Sequence, residues 1–142
     1  MRTHVGSQYG RYVILHMQKG EGILECVEQE CGRLGIKNAV VTSGIGSLRK
    51  VCYHRIATVA DDPTNEYITI EGPIEMSALQ GVIVDGEPHL HITCCDREHA
   101  FGGHLENGCE VQYLAEISVI ELLDANLTRR LDAFGISYID QR

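Results

Sequence analysis

Apolar and polar residues alternate with a period of two along most of this sequence of 142 residues. The pattern is clearest over residues 111–122, where one face would carry Val111, Tyr113, Ala115, Ile117 and Val119. Successive side chains of a β-strand point to opposite faces, so this pattern suits strands with one buried and one exposed face. The sequence therefore predicts a chain dominated by antiparallel strands.

One long segment follows the helical period instead. Apolar residues over positions 21–34 recur three and four apart, and Gly35 follows as a natural helix end. A shorter helical pattern near the C-terminus (Leu127, Leu131, Phe134) precedes a strand-like segment at 136–139. Together these patterns predict an α+β fold: a single compact domain over residues 1–142, mostly antiparallel sheet with one main helix packed on it.

Glycine-containing segments separate the predicted strands. Residues 42–47 lack the lysine of a P-loop and the third glycine of a dinucleotide-binding loop, so they predict a turn between strands at 36–41 and 51–58. Gly72-Pro73 predicts a bend or bulge between strand-like segments at 67–70 and 74–79. Asp85-Gly86 predicts a hairpin that leads into a strand at 89–95.

Composition excludes several classes of protein. The net charge of −8 disfavours nucleic-acid binding, because a duplex repels an acidic surface. The six cysteines include no Cys-x-x-Cys pair, so we expect neither a structural zinc site nor a disulfide frame. There is no apolar run of membrane-spanning length and no apolar stretch after Met1, so we expect no membrane partner and a cytoplasmic location.

Three histidines carry the strongest functional signal. His89 and His91 would leave the same face of a strand, with the apolar Leu90 and Ile92 on the opposite face. His104 follows after thirteen residues, which is enough chain to turn and return as a neighbouring strand. Three imidazoles would then converge as ligands of a divalent metal. The alternative is that each histidine is a half-buried, hydrogen-bonded strand residue.

Two other side chains lie close to this signal in the sequence. Glu106 would share the face of His104 and could act as a general acid or base. Cys95 shares the face of His91 but lies roughly 13 Å from it along an extended strand, so we expect a neighbour of the site and not a ligand. The remaining histidines lack partners at ligand spacing: His4, His16, His54 and His99.

The order of the motifs resembles the PPC domain, the plants and prokaryotes conserved domain. The resemblance covers residues 8–140 and rests on Tyr12-Val13-Ile14-Leu15, Lys19-Gly20-Glu21, Ser43-Gly44-Ile45-Gly46-Ser47-Leu48, Glu71-Gly72-Pro73, Pro88-His89-Leu90-His91 and Gly102-Gly103-His104-Leu105. It implies a compact α+β fold assembled as a homotrimer. In prokaryotic members it also implies a metal, zinc first, held by His89, His91 and His104. His16 departs from the arginine of many members.

The resemblance implies a metal-binding homotrimer with a regulatory or protein-interaction role, which can have other proteins as partners. In plant members the DNA contact comes from an AT-hook, and this sequence contains no Arg-Gly-Arg-Pro hook, so direct DNA binding is not expected. The alternative is a metal-dependent enzyme of hydrolase type, because three histidine ligands leave one coordination position open. Glu106 could then take part in proton transfer.

Overall fold

Strands dominate the molecule, and a single helix accompanies them, as the sequence predicts. A computed structural model describes residues 1–142. The elements in chain order are β1 (Tyr9–Gln18), α1 (Ile23–Leu34), β2 (Ala39–Ile56), β3 (Asn65–Val84), β4 (Glu87–Cys95), β5 (Ala100–Leu105), β6 (Glu110–Leu122), β7 (Leu127–Leu131) and β8 (Ser137–Gln141). The helix α1 falls short of the length and apolarity that a membrane-crossing helix requires.

Six strands form one antiparallel sheet in the order β1-β6-β2-β3-β4-β5, and β7 and β8 form a separate pair. The edge strand β5 also pairs with the end of β2, through Tyr53↔Leu105 and His54↔His104. The strands β2, β3, β4 and β5 therefore close into a ring. We call β1 to β6 the main sheet, and we call β7 and β8 with their turn the C-terminal hairpin.

Two glycines in β5 make this closure possible. A Cβ atom at Gly102 would collide with the carbonyl oxygen of Ile92 in β4. A Cβ atom at Gly103 would collide with the carbonyl oxygen of His54 in β2. The absence of side chains at these positions lets β5 lie close to both neighbours at once.

The core lies between the main sheet and α1. The helix packs against β1, β4 and β6, and it ends at Gly35, which adopts a left-handed conformation with φ 69°. The apolar side chains that fill this core include Ile23, Val27, Leu48, Met76, Leu79, Leu90, Ile92, Leu105, Ile117 and Val119. All six cysteines are free, and burial raises the pKa of Cys94 and of Cys109 to about 12, so these two thiols stay neutral.

Two predicted breaks lie inside continuous strands. Residues 42–47, predicted as a turn, belong to β2. A Cβ atom at Gly46 would meet the backbone of Leu114 and Ala115 in β6, so this glycine marks a close approach of two strands. Gly72-Pro73 lies within β3 where the register against β2 shifts between Leu48 and Lys50, which confirms the predicted bulge.

Two other predictions are wrong. Tyr113 does not share the buried face of β6: it is 74% exposed, because the register between β2 and β6 shifts beside it. The helical pattern at 127–134 is a strand, β7, followed by a turn. In that turn Asp132 Oδ1 accepts hydrogen bonds from the N–H groups of Phe134 and Ile136. Such a side-chain contact offers the backbone an alternative to a helix.

Candidate metal centre

Cross-strand pairing places three histidines in one row on the outside of the ring. His91 in β4 lies directly opposite His104 in β5, and His104 lies directly opposite His54 at the end of β2. The chain neighbours Tyr53 and Leu105 are buried in the core, so the alternation of the strands turns the histidines outward. The pairing of strands, and not the sequence spacing alone, therefore creates the cluster.

His89 adds a fourth imidazole to this row. Its Nε2 atom lies 3.4 Å from Nε2 of His91, and the centroids of the His89 and His104 rings are 4.8 Å apart. The His104 ring stacks on the His54 ring at 4.4 Å. The structure thus brings the three predicted residues together and adds His54. We call these four residues the histidine cluster.

Glu106 lies at the His54 end of the histidine cluster. The Nδ1 atom of His54 donates a hydrogen bond to Glu106 Oε1 at 2.5 Å. The Nδ1 atom of His104 lies 3.4 Å from the same oxygen but without hydrogen-bond geometry, so this buried nitrogen has no partner. The potential ligand atoms of His54, His104 and Glu106 all lie within 4.8 Å of one another. A carboxylate that holds Nδ1 of a histidine leaves Nε2 oriented for a metal.

Two parts of the cluster bring possible metal donors close together. Two nitrogens bound to one tetrahedral ion at about 2.0–2.1 Å are about 3.4 Å apart, and the Nε2 atoms of His89 and His91 have this separation, although a weak N–H···N hydrogen bond would have a similar length. The ligand atoms of His54, His104 and Glu106 form the second group, within 4.8 Å of one another. The cluster therefore contains a possible site of histidine and glutamate ligands for a metal ion.

The electrostatics of the cluster favour uncharged imidazoles. Burial is the main cause that lowers the pKa of His89 to about 4, followed by the charges of His104 and Arg129. Burial and then the neighbouring His54 also lower the pKa of His104. The neutral imidazole is the form that binds metals, so His89 and His104 are in the required state near neutral pH.

The other candidate residues lie outside the cluster. His16 Nδ1 lies 3.4 Å from Glu116 on the outer face of the main sheet, and His99 Nδ1 lies 3.8 Å from Asp96 in the turn before β5. The Sγ atom of Cys95 lies 3.9 Å from a serine hydroxyl, at the far end of β4. The prediction that Glu106 accompanies His104 is confirmed in position, but its closest contact is to His54.

His54 is the site residue that sequence reasoning missed. It lies fifty residues from His104 along the chain, and its strand alternation indicates only that its side chain points away from the buried Tyr53. The pairing of β2 with β5 brings it to the cluster, and no local pattern in the sequence predicts this pairing. The two glycines before His104 were the available signal, because they mark a strand that two others approach closely.

An open pocket of about 430 Å³ adjoins the other end of the histidine cluster. It lies between the outer face of β3 and β4 and the C-terminal hairpin. His89 and His91 line it from β4, and Arg129 and Ser137 line it from the C-terminal hairpin. This pocket gives a small molecule access to the cluster from solvent.

Comparisons with known proteins agree with this fold. The family model of the Plants and Prokaryotes Conserved (PCC) domain matches residues 5–123. A plant- and prokaryote-conserved (PPC) protein from Pyrococcus horikoshii is 30% identical, with a TM-score of 0.80 over 100% of this chain and 99% of that one. The metal-containing protein AF0104 from Archaeoglobus fulgidus is 22% identical, with a TM-score of 0.77 over 94% of this chain and 95% of that one. A Bacteroides thetaiotaomicron protein with a provisional DNA-binding name is 21% identical, with a TM-score of 0.76 over 94% and 96% of the two chains.

Two curated relatives are much longer proteins. Both are bifunctional GlmU proteins from Synechococcus strains, and each is 29% identical over 119 residues. The match covers 83% of this chain but 18% of each GlmU protein, so the chain resembles one segment of them. The family match spans the whole main sheet and ends before the C-terminal hairpin, and the chain belongs to the Plants and Prokaryotes Conserved domain family.

Proposed function

We propose that this chain is a metal-binding, homotrimeric domain with a regulatory or protein-interaction role, and that zinc is its metal. The observation that carries the proposal is the convergence of His89, His91 and His104, joined by His54, on the outside of the strand ring. A protein of the same fold from Archaeoglobus fulgidus is described as metal-containing, which agrees with the proposal.

Each residue of the cluster has a distinct part in this proposal. His89, His91 and His104 would hold the ion, and His54 would support them through the ring that stacks on His104. Glu106 accepts the Nδ1 proton of His54 and so orients the other ring nitrogen. The strands fix the positions of these side chains before any ion binds, so little ordering is needed on binding. A bound zinc ion would act as a Lewis acid toward a ligand in its open position.

Metal analysis of variants tests the ligand set. We expect purified protein to contain about one zinc per chain, and His89→Ala and His104→Ala to lose most of it. His54→Ala should retain zinc with an affinity that is about 10–100-fold weaker, the effect typical of supporting residues. His16→Ala is the matched control, because His16 also lies beside a glutamate but outside the cluster. Equal zinc content in His104→Ala and His16→Ala would exclude the proposed site.

The proposed homotrimer requires a contact surface separate from the metal site. The outer face of β1, β6 and β2 exposes Tyr12, Ile14 and Ile45 by 80%, 60% and 51%. The register places them on one face, since His16 and Ile45 both lie opposite Glu116 and Ile14 lies opposite Ser118. Contiguous exposed apolar side chains on a sheet are typical of surfaces that bind a partner. We therefore assign the contact between copies to this face.

Light scattering tests this assignment. The native chain should have the mass of three copies, and it should keep that mass after chelation, since the apolar face lies apart from the cluster. Ile14→Glu with Ile45→Glu should give a monomer. Phe134→Glu, at an equally exposed apolar residue of the C-terminal hairpin, is the control and should stay trimeric. A native monomer would refute the trimer and leave the metal site untouched.

A metal-dependent enzyme of hydrolase type is the second candidate, because the open pocket reaches His89 and His91. Glu106 is already bonded to His54, so it is better placed to orient that ring than to shuttle protons. A panel of ester and amide substrates, tested with zinc-loaded protein, separates the candidates. Turnover that disappears in His104→Ala and persists in His16→Ala would favour the enzyme. Absence of turnover with every substrate would favour the interaction domain.

Direct DNA binding has less support, although a protein of this fold bears a provisional DNA-binding name. A groove of about 780 Å³ is lined by four basic side chains balanced by four acidic ones (Lys19, Arg49, Lys50 and Arg97; Glu71, Glu75, Asp96 and Glu110). A phosphate backbone needs an excess of positive charge. Strong, salt-dependent retention on duplex DNA would contradict this view. A related segment occurs within the longer bifunctional GlmU proteins, and this agrees with a domain that works together with other protein domains.

A further inference from the structure

Arg129 is the one buried cation of the C-terminal hairpin that has no close partner. Its side chain is only 10% exposed. Its Nε and Nη2 atoms are buried and make no hydrogen bond. The nearest carboxylate oxygen, Oε1 of Glu87, lies 3.9 Å from Nε and belongs to a side chain that is 68% exposed. A buried guanidinium without hydrogen-bond partners is costly, so a ligand that supplies acceptors would be bound favourably.

The pocket around Arg129 has the composition of an anion site. Its other lining residues are Gln80, Gly81, Val82, His89, His91, Ser137, Tyr138 and Ile139. None of them is acidic, although the chain has 20 aspartate and glutamate residues. Ile139 lies directly opposite Arg129, and Ser137 shares its face of the hairpin, so Ser137 adds a hydroxyl group to the wall that carries Arg129. A volume of about 430 Å³ lies in the range of small-molecule sites.

We propose that this pocket binds a small oxyanion, a carboxylate or a phosphate group, which the guanidinium group of Arg129 holds from the C-terminal hairpin while the anion faces His89 and His91. Arginine suits this task because its planar fork matches the paired oxygens of both groups. Arg129 lies beyond residue 123, where the family match ends, so the site combines histidines of the main sheet with a cation of the C-terminal hairpin.

This oxyanion site deepens the proposed function, and it rests on that function for one of its two interactions. A metal held by His89, His91 and His104 would place a second positive charge beside the pocket, so the same anion would bind more tightly. The contact with Arg129 does not require the metal. Oxyanion binding should therefore be measurable in the metal-free protein and stronger in the zinc-loaded protein.

The experiment is calorimetric titration of the full chain with inorganic phosphate and, separately, with malonate. Each titration is run on chelated protein and on zinc-loaded protein, and zinc binding is measured in parallel. Arg129→Gln is compared with Arg130→Gln, which removes the same charge one residue further along β7. Arg130 is the matched control, because it is 55% exposed and pairs with Asp140 at 3.2 Å outside the pocket. Arg129→Lys keeps the charge but loses the planar fork.

We expect Arg129→Gln to weaken phosphate or malonate binding by at least about tenfold, the loss typical of hydrogen bonds to a charged group. Arg129→Lys should weaken it less, and Arg130→Gln should change it by no more than about twofold. Heat unfolding guards against a folding defect. Without anion, Arg129→Gln should unfold at the same temperature as the native chain or higher, because it removes an unpaired buried charge. The anion should raise the unfolding temperature of the native chain and not that of Arg129→Gln.

The outcomes separate this inference from the proposed function. Absence of binding by either anion at millimolar concentration, or equal losses in the Arg129→Gln and Arg130→Gln variants, would overturn the oxyanion site even if zinc binds. Failure of zinc to bind, with phosphate binding that still depends on Arg129, would overturn the metal site and leave the oxyanion site standing. A short DNA duplex that displaces phosphate from the native chain, and that loses this ability in Arg129→Gln, would overturn the assignment to a small ligand.

Discussion

The main sheet and the C-terminal hairpin are both antiparallel, but different forces hold them. Every strand of the main sheet contributes buried apolar side chains, and the last buried residue of the chain is Val119. No residue of the C-terminal hairpin is buried to that degree. Its own hydrogen-bond ladder, the turn around Asp132, and the ion pair of Arg130 with Asp140 across its two strands hold it instead. Burial therefore specifies the main sheet, and local polar contacts specify the hairpin.

The two regions also divide the chemistry. The main sheet carries the histidine cluster on strands that core packing fixes. The C-terminal hairpin brings Arg129 to the pocket beside that cluster. A ligand site built this way has a rigid half and a more adaptable half. Substitutions made in matched pairs, one in each region, test whether different forces hold the two regions.

The same truncation should have very different effects in the two regions. Leu90 is 1% exposed beneath the histidines of β4, whereas Leu131 in β7 is 69% exposed. Leu90→Ala should lower the free energy of unfolding by about 2–5 kcal/mol, because it leaves a cavity in the core. Leu131→Ala should change it by less than about 0.5 kcal/mol. Urea unfolding measures both. Similar losses in the two variants would mean that the hairpin belongs to the core, and the comparison would fail.

A second pair probes the closure of the ring. Gly103→Ala would force a methyl group against the carbonyl oxygen of His54, so β5 must move away from β2. We expect a loss of about 1–3 kcal/mol or more, with a loss of zinc, since the row of histidines opens. Gly32→Ala is the control: it lies in α1 with open space around it and should stabilise the chain by about 0.5–1 kcal/mol. Unfolding and metal content are measured on both variants, and full zinc content in Gly103→Ala would contradict the proposed dependence on closure.

The comparison also explains which features the sequence could predict. Segments such as 89–95 and 111–122 pack against a core, so their alternation shows in the residues themselves, and the shared face of His89 and His91 follows from it. The position of His104 follows from the return of the chain as a strand beside β4. His54 could not be predicted, because its place depends on the pairing of β2 with β5. The strand β7 was predicted as helical because its few apolar residues have a helical spacing, while its actual stability comes from pairing with β8 and from the Asp132 turn.

Removal of one carboxylate charge should weaken the metal site without unfolding the chain. Glu106→Gln keeps the shape of the side chain but loses the charge that holds Nδ1 of His54. Zinc affinity should fall by about 10–100-fold, measured by competition with a chelating dye. Glu116→Gln is the control, since Glu116 contacts Nδ1 of His16 in the same way but away from the cluster. If both variants bind zinc like the native chain, Glu106 does not support the site.

The smallest expected effect is a pH dependence that couples the two regions in metal-free protein. Burial, His104 and Arg129 lower the pKa of His89 to about 4, whereas the unfolded chain has an ordinary value of about 6.5. Between these values the unfolded chain binds a proton that the folded chain does not. Stability should therefore be highest above about pH 6.5 and should fall as the pH is lowered toward 4. The lowered pKa of His104 acts in the same direction. Because water reaches part of the His89 side chain, it screens these charges and keeps the effect modest.

The variants at Arg129 and Arg130 determine how much of this dependence comes from the C-terminal hairpin. Arg129→Gln removes one of the charges that lower the pKa of His89, so that pKa should rise toward its ordinary value and the loss of stability on acidification should be smaller. Arg130→Gln should leave the dependence unchanged, because Arg130 pairs with Asp140 away from the cluster. Urea unfolding of chelated protein at several pH values measures the difference, because the contributions of Glu121 and Asp124, whose pKa values are lowered, are the same in both proteins and cancel in the comparison. Identical pH profiles for the native chain and Arg129→Gln would show that the hairpin exerts no charge on the histidines, and the two regions would then be independent in function as well as in folding.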